Sequence, residues 1–183
     1  ANATLREIDE ELIVETIKYT SHIINLIKPK KLVYISIDGP VPFAKMVCQR
    51  KRRFKKIQDS AYYAKINAKY GIVQDKSFDS NKITPGTQFM TKLCSRIRNL
   101  IGIGAFSQHT KYPFRVVFSD SNAPGEGEAK IINYIKNSKS TGTRNITIYG
   151  LDGDLIILGM SLGLPNVRLL REPDKAMADM EKE

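Results

Sequence analysis

Acidic residues follow each of three predicted strands in this chain. Asp38 ends the stretch KLVYISID, Glu126 and Glu128 stand in PGEGE after FRVVF, and Asp152 and Asp154 stand in LDGD after NITIY. If the strands are parallel, their carboxyl ends meet at one edge of the sheet, and the five carboxylates lie there together. Like charges placed together repel one another, and a divalent cation removes that repulsion. Oxygen ligands without Cys or His suit Mg²⁺, with Mn²⁺ as a second choice.

The carboxylate pattern has two interpretations. Two divalent ions at such an edge can activate a water and stabilise the leaving oxygen when a phosphodiester bond is cleaved. Alternatively, Asp caps helix N-termini and Glu in a first helical turn suits the helix dipole, so any one of these acids alone is more often a cap. Five acids after three strands favour the metal site, whereas Asp59 and Asp120 are interpreted as surface or turn acids.

Basic residues are concentrated in one predicted helix. The formal net charge is +10, and seven of the twelve residues from Lys45 to Lys56 are Lys or Arg, which favours a polyanionic partner such as nucleic acid. Donors recur at helical spacing on one face, namely Lys45, Gln49, Arg52, Arg53 and Lys56. Because the helix begins just after Asp38, we expect the first four of these donors to bind a terminal 5′-phosphate near the acidic edge. The alternative is a solvated surface helix.

The elements that must position these residues alternate along the chain. Apolar spacing and turn signals predict five helices, over residues 12–27, 43–70, 87–101, 126–136 and 152–162. Runs rich in β-branched and aromatic residues predict four strands, over residues 31–38, 114–118, 145–149 and 167–170. This alternation predicts an α/β fold with a mostly parallel central sheet flanked by helices. A length of 183 residues fits a single domain, residues 1–183.

Composition excludes several classes of protein. Apolar residues make up 42% of the chain, which fits a globular protein and not a disordered one. The longest apolar stretches are strand-sized, far short of the ~20 residues of a membrane span, so no membrane partner is expected. Cys48 and Cys94 form neither a disulfide framework nor a zinc motif, which predicts an intracellular, reducing compartment without deciding between cytoplasm and nucleus.

The remaining candidates for chemistry are weak. His22 and His109 are lone histidines without a nucleophile nearby in sequence, and they are expected to be structural or surface residues. Tyr62, Tyr63 and Tyr70 have rings that could stack on bases, but we expect them to pack in the core.

Several stretches of the chain resemble the Xrn family of 5′→3′ exoribonucleases. They are Ile37-Asp38-Gly39 with Pro42, AKMVCQRKRRF (44–54), ITPGTQFM (83–90), PGEGEAKI (124–131), YGLDGDLIILG (149–159) and LLRE (169–172). These stretches occur in the family's order and span nearly the whole chain. The resemblance implies the PIN-like α/β fold that is also seen in flap endonucleases.

The resemblance also implies roles for individual residues. Five acids fall on family metal-binding positions, namely Asp38, Glu126, Glu128, Asp152 and Asp154. Four donors fall on the pocket for the 5′-monophosphate, namely Lys45, Gln49, Arg52 and Arg53. The implied reaction is processive hydrolysis of single-stranded, 5′-monophosphorylated RNA to nucleoside 5′-monophosphates, with Mg²⁺ or Mn²⁺ as cofactor.

The chain departs from the family pattern at several positions. Phe43 stands where the family usually has a basic residue, and Ala129 replaces a common His. Further acids that the family carries upstream and downstream fall outside this chain. We therefore expect both ends to be cuts in a longer protein, and the chain alone to bind metal poorly and to have little activity. Two other functions stay open: a structure-specific DNA flap endonuclease, against which residues 45–54 argue, and a non-catalytic RNA-binding or scaffold remnant.

Overall fold

The computed structural model describes residues 5–72, 78–108, 113–138 and 144–172. The chain divides into two compact units, Ala1–Gly127 and Glu128–Glu183, and each unit is described by itself. The expectation of a single domain stays a prediction. His109, expected to be structural or on the surface, lies outside the described residues.

In its described residues, the first unit contains a pair of parallel strands and three helices. The helices are α1 (Leu5–Ile27), α2 (Phe43–Lys69) and α3 (Gln88–Gly102), and the strands are β1 (Leu32–Ser36) and β2 (Arg115–Ser119). Short 3-10 turns cover Ser80–Lys82 and Ala105–Ser107. Leu32 pairs with Arg115 and Ser36 pairs with Ser119, so β1 and β2 end at the same edge. The residues that follow the two strands are therefore neighbours.

The core of the first unit is built mainly by α3. Phe89 and Ile97 recur at helical spacing on its inner side and are buried together with Ile13 of α1. The helix begins where Thr87 caps it, because Thr87 Oγ1 accepts a hydrogen bond from the backbone N of Met90 at 3.3 Å. α3 is thus fixed by both its cap and its buried face.

Helix α2 contrasts with α3, because none of its residues is buried. Tyr62 and Tyr63 are 63% and 58% exposed, and Tyr70 just beyond the helix is 70% exposed. The core prediction for these three tyrosines is wrong, since a residue type indicates burial only where another element covers it. The rings of Tyr62 and Tyr63 contact each other, with centroids 5.9 Å apart. His22 is exposed on α1, which confirms the expectation of a surface residue.

The second unit repeats the parallel pairing. Helix α4 (Gly127–Asn137) begins at the last residue of the first unit and is followed by β3 (Ile146–Tyr149), α5 (Asp154–Met160) and β4 (Val167–Leu170). β3 pairs with β4 in parallel, with Ile146 opposite Val167 and Tyr149 opposite Leu170. Ile148 and Leu155 are buried in its core with two isoleucines of α4, Ile132 and Ile135.

The α/β class with parallel strands, predicted from the alternation of elements, is confirmed. Hydrogen bonding within the described residues forms two two-stranded sheets, β1–β2 and β3–β4, where the sequence predicts one central sheet. The two pairs belong to different compact units, each with its own apolar cluster.

Two observations bear on environment. Within the described ranges, no helix combines the length and the apolar character needed to cross a membrane. Cys48 and Cys94 are both free thiols. An intracellular location stays a prediction.

Candidate metal and phosphate site

Asp38 is the first acid after β1, and it is tied to the start of α4. Its Oδ1 accepts a hydrogen bond from the backbone N of Gly127 at 2.6 Å. A Cβ atom at position 127 would lie 3.2 Å from that same oxygen, so glycine permits the close approach. Asp38 therefore also behaves as a cap, and the capping and metal interpretations apply to the same carboxylate.

Backbone hydrogen bonds continue the contact between the loops that follow β1 and β2. Gly39 N donates to Gly125 O at 2.9 Å, and Gly125 N donates to Pro40 O at 2.8 Å. Gly125 has φ 104°, a conformation that side chains disfavour. These bonds hold residues 125–127 beside Asp38, as the shared edge of the strands predicts.

Glu126 lies in this clamped segment and is partly buried. Its Oε1 forms an ion pair with Lys45 Nζ at 2.5 Å. Ser36 Oγ, at the end of β1, is a buried side-chain oxygen without a hydrogen-bond partner among the described residues, whereas the buried Glu126 Oε1 has the Lys45 ammonium group as its contact. A buried oxygen without a hydrogen bond is costly, and a cation can satisfy it. The ammonium group at Glu126 shows that a positive charge is accommodated at this carboxylate, and carboxylate oxygens are ligands that Mg²⁺ and Mn²⁺ take.

The second unit brings three acids together. Glu128 in the first turn of α4 and Asp152 and Asp154 beyond β3 each offer a carboxylate oxygen, and these oxygens lie within 4.8 Å of one another. Asp152 Oδ1 also accepts a hydrogen bond from Asp154 N at 3.0 Å, a local turn contact just before α5. Carboxylate oxygens at this separation match the ligand set of Mg²⁺ or Mn²⁺.

The loop that carries Asp152 is fixed by residues that follow β4. Arg171 Nη2 donates to the carbonyl oxygen of Leu151 at 2.8 Å, and the Tyr149 hydroxyl donates to Glu172 Oε1 at 3.0 Å. The end of β3 and the loop after it thus contact residues that follow β4, which the parallel register of the two strands brings to the same edge.

The five predicted acids therefore fall into two groups. Asp38 and Glu126 belong to the first unit, and Glu128, Asp152 and Asp154 to the second. Only Gly127 separates Glu126 from Glu128 in the chain. A single site that contains all five carboxylates stays a prediction.

The predicted phosphate-binding residues lie on α2. Lys45 contacts Glu126 as described, and Arg53 Nη2 donates to Gln49 Oε1 at 3.3 Å. Arg52 is exposed on the helix, and Lys56 donates to Ser80 Oγ. The structure thus places Lys45 beside Glu126 and couples Gln49 to Arg53, while Lys56 contacts Ser80.

Asp59 and Asp120 are the two acids that the sequence predicts to be surface or turn residues. Asp59 is exposed on α2, which agrees with a surface acid. Asp120 is a turn acid, because its Oδ1 accepts from Asn122 N at 2.8 Å and from Ala123 N at 3.2 Å. Its side chain also forms an ion pair with Arg98 of α3. The Asp-Ser-Asn sequence signals the turn, but nothing in the sequence signals Arg98 as its partner.

Comparison with known proteins extends these observations. Residues 1–173 match the family model described as XRN 5'-3' exonuclease N-terminus. The chain is 41% identical over 178 residues to 5'-3' exoribonuclease 1 of Saccharomyces cerevisiae, covering 93% of this chain and 12% of that protein. It is 37% identical over 186 residues to 5'-3' exoribonuclease 2 of Neurospora crassa, covering 90% of this chain and 17% of that protein. The chain thus spans a small part of the length of these relatives.

Proposed function

We propose, from the premise that this chain belongs to the XRN 5'-3' exonuclease N-terminus family, that it forms part of the catalytic domain of a 5′→3′ exoribonuclease. The proposed substrate is single-stranded RNA with a 5′-monophosphate, which is hydrolysed processively to nucleoside 5′-monophosphates. The observation that carries the proposal is the 2.5 Å contact between Lys45 Nζ and Glu126 Oε1. This contact places the basic helix beside an acid of the PGEGE loop, which is what end-directed cleavage next to a phosphate pocket requires.

The proposed metal ligands are the five acids predicted from the sequence. Asp38 and Glu126 would contribute carboxylate oxygens from the first unit, and Glu128, Asp152 and Asp154 would contribute them from the second. When bound, Mg²⁺ or Mn²⁺ ions supply the activated water and the charge that stabilises the leaving oxygen. The three oxygens within 4.8 Å of one another support this assignment for the second group, and the buried oxygens of Ser36 and Glu126 support it for the first.

The phosphate-binding role falls to the four donors of α2. Arg52 and Arg53 present guanidinium groups that can bind phosphate oxygens in bidentate fashion, and Gln49 orients Arg53 through its side-chain oxygen. Lys45 Nζ lies at Glu126, beside the acids that would hold the cation, and its role in the proposal is to bind the terminal phosphate at this edge.

The names of the relatives favour RNA over DNA as substrate, since both proteins compared above are named exoribonucleases. A DNA flap endonuclease uses the same acid chemistry and stays the alternative for the substrate. A non-catalytic role stays the alternative for the chain by itself, for which weak metal binding and little activity remain our prediction.

The test uses the full-length protein that contains this chain. RNAs of one sequence with a 5′-monophosphate, a 5′-hydroxyl or a cap, and a branched DNA flap, are incubated with Mg²⁺, and the products are resolved by size. We expect mononucleotides from the monophosphorylated RNA alone. Equal digestion of the three RNA ends would rule out the phosphate pocket, preferential cleavage of the flap would favour the DNA alternative, and no digestion of any substrate would favour the non-catalytic one.

A further inference from the structure

The segment that carries Glu126 is anchored at its start by α3. Asp120, directly after β2, accepts two backbone hydrogen bonds, from Asn122 N at 2.8 Å and Ala123 N at 3.2 Å. The same carboxylate forms an ion pair with Arg98 through its other oxygen, Oδ2. One side chain therefore shapes the turn and ties it to a helix.

A second contact attaches the same turn to α3. Ser121 is 3% exposed, and its Oγ lies 3.4 Å from Sγ of Cys94, which is 1% exposed. Cys94 and Arg98 are one helical turn apart on α3, the helix that builds the core of the first unit. The turn is thus fixed to one of the most firmly packed elements of its unit.

The far end of the segment is anchored as well. Gly125 exchanges hydrogen bonds with Gly39 and Pro40, and Gly127 N donates to Asp38. Glu126 therefore stands between the turn at Asp120 and the clamp around Gly125. A carboxylate held on a fixed backbone loses less conformational freedom when it binds a cation than one on a mobile loop.

We propose that Asp120 and Arg98 are positioning residues, which fix the segment from 119 to 127 so that Glu126 is held ready for a divalent cation. Neither residue contacts the cation in this scheme. The inference rests on the proposed function only in taking a divalent cation as the species that Glu126 binds. Partners that orient a metal ligand from outside typically alter metal affinity by 10- to 100-fold, and we expect about the lower value here.

Charge alone predicts the opposite effect for Arg98. If Arg98 acts only through its charge and does not position the Glu126 segment, its removal from an acidic region should strengthen the binding of a cation. Positioning predicts that Arg98→Gln weakens binding, because the turn loses its attachment to α3. The sign of the change therefore distinguishes the two explanations.

The experiment measures Mn²⁺ affinity of the full-length protein by the EPR signal of free Mn²⁺. The variants are Asp120→Ala, which removes the turn bonds and the ion pair, and Asp120→Asn, which keeps an acceptor for the turn. We expect the Kd to rise by about tenfold for Asp120→Ala and less for Asp120→Asn and Arg98→Gln. The matched control is Arg96→Gln, which removes an ion pair between Glu10 and an arginine of α3 that is about as exposed as Arg98, and it should leave the Kd unchanged.

Amide hydrogen exchange of Gly125 and Gly127, without metal, gives a second readout. Both amides should exchange faster in Asp120→Ala than in wild type and Arg96→Gln, while thermal unfolding shows that the variants are folded. If Asp120→Ala does not fold, Asp120→Asn and Arg98→Gln decide. An unchanged Kd and unchanged exchange overturn the inference, as does a wild-type protein that binds no Mn²⁺. If the wild type binds Mn²⁺ but digests no RNA and the variants still show both changes, the proposed function fails and the inference stands.

Discussion

Lys45 Nζ and Glu126 Oε1 lie 2.5 Å apart, although they belong to segments that are distant in the chain. One stands in the first turn of the basic helix α2, and the other stands just before α4. The parallel pairing of β1 and β2 causes the contact, because it brings the segments that follow both strands to one edge. The contact joins the predicted phosphate-binding face to one of the predicted metal-binding acids, Glu126.

If the proposed phosphate pocket is right, Lys45→Met should reduce the preference of the full-length protein for a 5′-monophosphate over a 5′-hydroxyl by about tenfold, the effect of losing one charged hydrogen bond. The measurement is kcat/KM on both RNAs. Lys51→Met is the matched control, because it removes the same charge from another face of α2. An equal loss of preference in both variants would mean that only the net charge of the helix matters.

Asp152→Asn should lower kcat by roughly 10²-fold or more, because the amide keeps the size of the side chain but loses the charge that stabilises the reaction. It should also weaken Mn²⁺ binding, measured by the EPR signal of free Mn²⁺. Asp59→Asn makes the same chemical change at an exposed acid of α2 and should alter neither quantity. Full activity of Asp152→Asn would remove this residue from the metal site.

Gly150→Ala should destabilise the protein by about 1–3 kcal/mol, the usual effect of overpacking a core. A Cβ atom there would overlap with the side chain of Leu155, which is buried in the core of the second unit. The free energy of unfolding in urea measures the effect. A variant as stable as wild type would show that Leu155 can move aside at little cost.

Gly153→Ala provides the matched comparison in the same loop. A Cβ atom at position 153 would meet nothing within 4 Å. The backbone of Gly153 has φ −62° and ψ −33°, which are helical values. We expect the free energy of unfolding to rise by about 0.4–1 kcal/mol, because alanine lowers the conformational entropy of the unfolded chain. Activity should be unchanged. A loss of stability in urea denaturation would contradict the open space at this position.

Gly127→Ala should lower the affinity for metal while changing the stability of the protein little. Alanine suits the first turn of α4, but its Cβ would lie 3.2 Å from Asp38 Oδ1 and would displace that exposed carboxylate. The expected result is a higher Mg²⁺ concentration for half-maximal activity, by several-fold, with a similar urea midpoint. An unchanged Mg²⁺ requirement would show that Asp38 does not need its bond to Gly127 N.

Elements with a strong local signal could be predicted from the sequence. The four strands and five helices occur where apolar patterns and turn residues place them, with differences at their ends. α1 begins at Leu5, earlier than predicted. The sequence does not signal these first turns, because they are largely polar and lack an apolar repeat. The burial predicted for Tyr62 and Tyr63 of α2 is wrong. The residue spacing of a helix shows which side chains share a face, but it does not show whether another element packs on that face.

The sequence by itself determined which residues can do chemistry: acids after strands, and donors repeated along one face of a helix. The side chains that share a face of a strand or helix are fixed by the local geometry of that element, so their spacing can be recognised in the sequence. The tertiary structure decided the pairing of Lys45 with Glu126, of Asp38 with Gly127, and of Arg98 with Asp120. These contacts depend on strand register and on the packing of α3, which arise from interactions between distant segments and leave no periodic signal in the sequence.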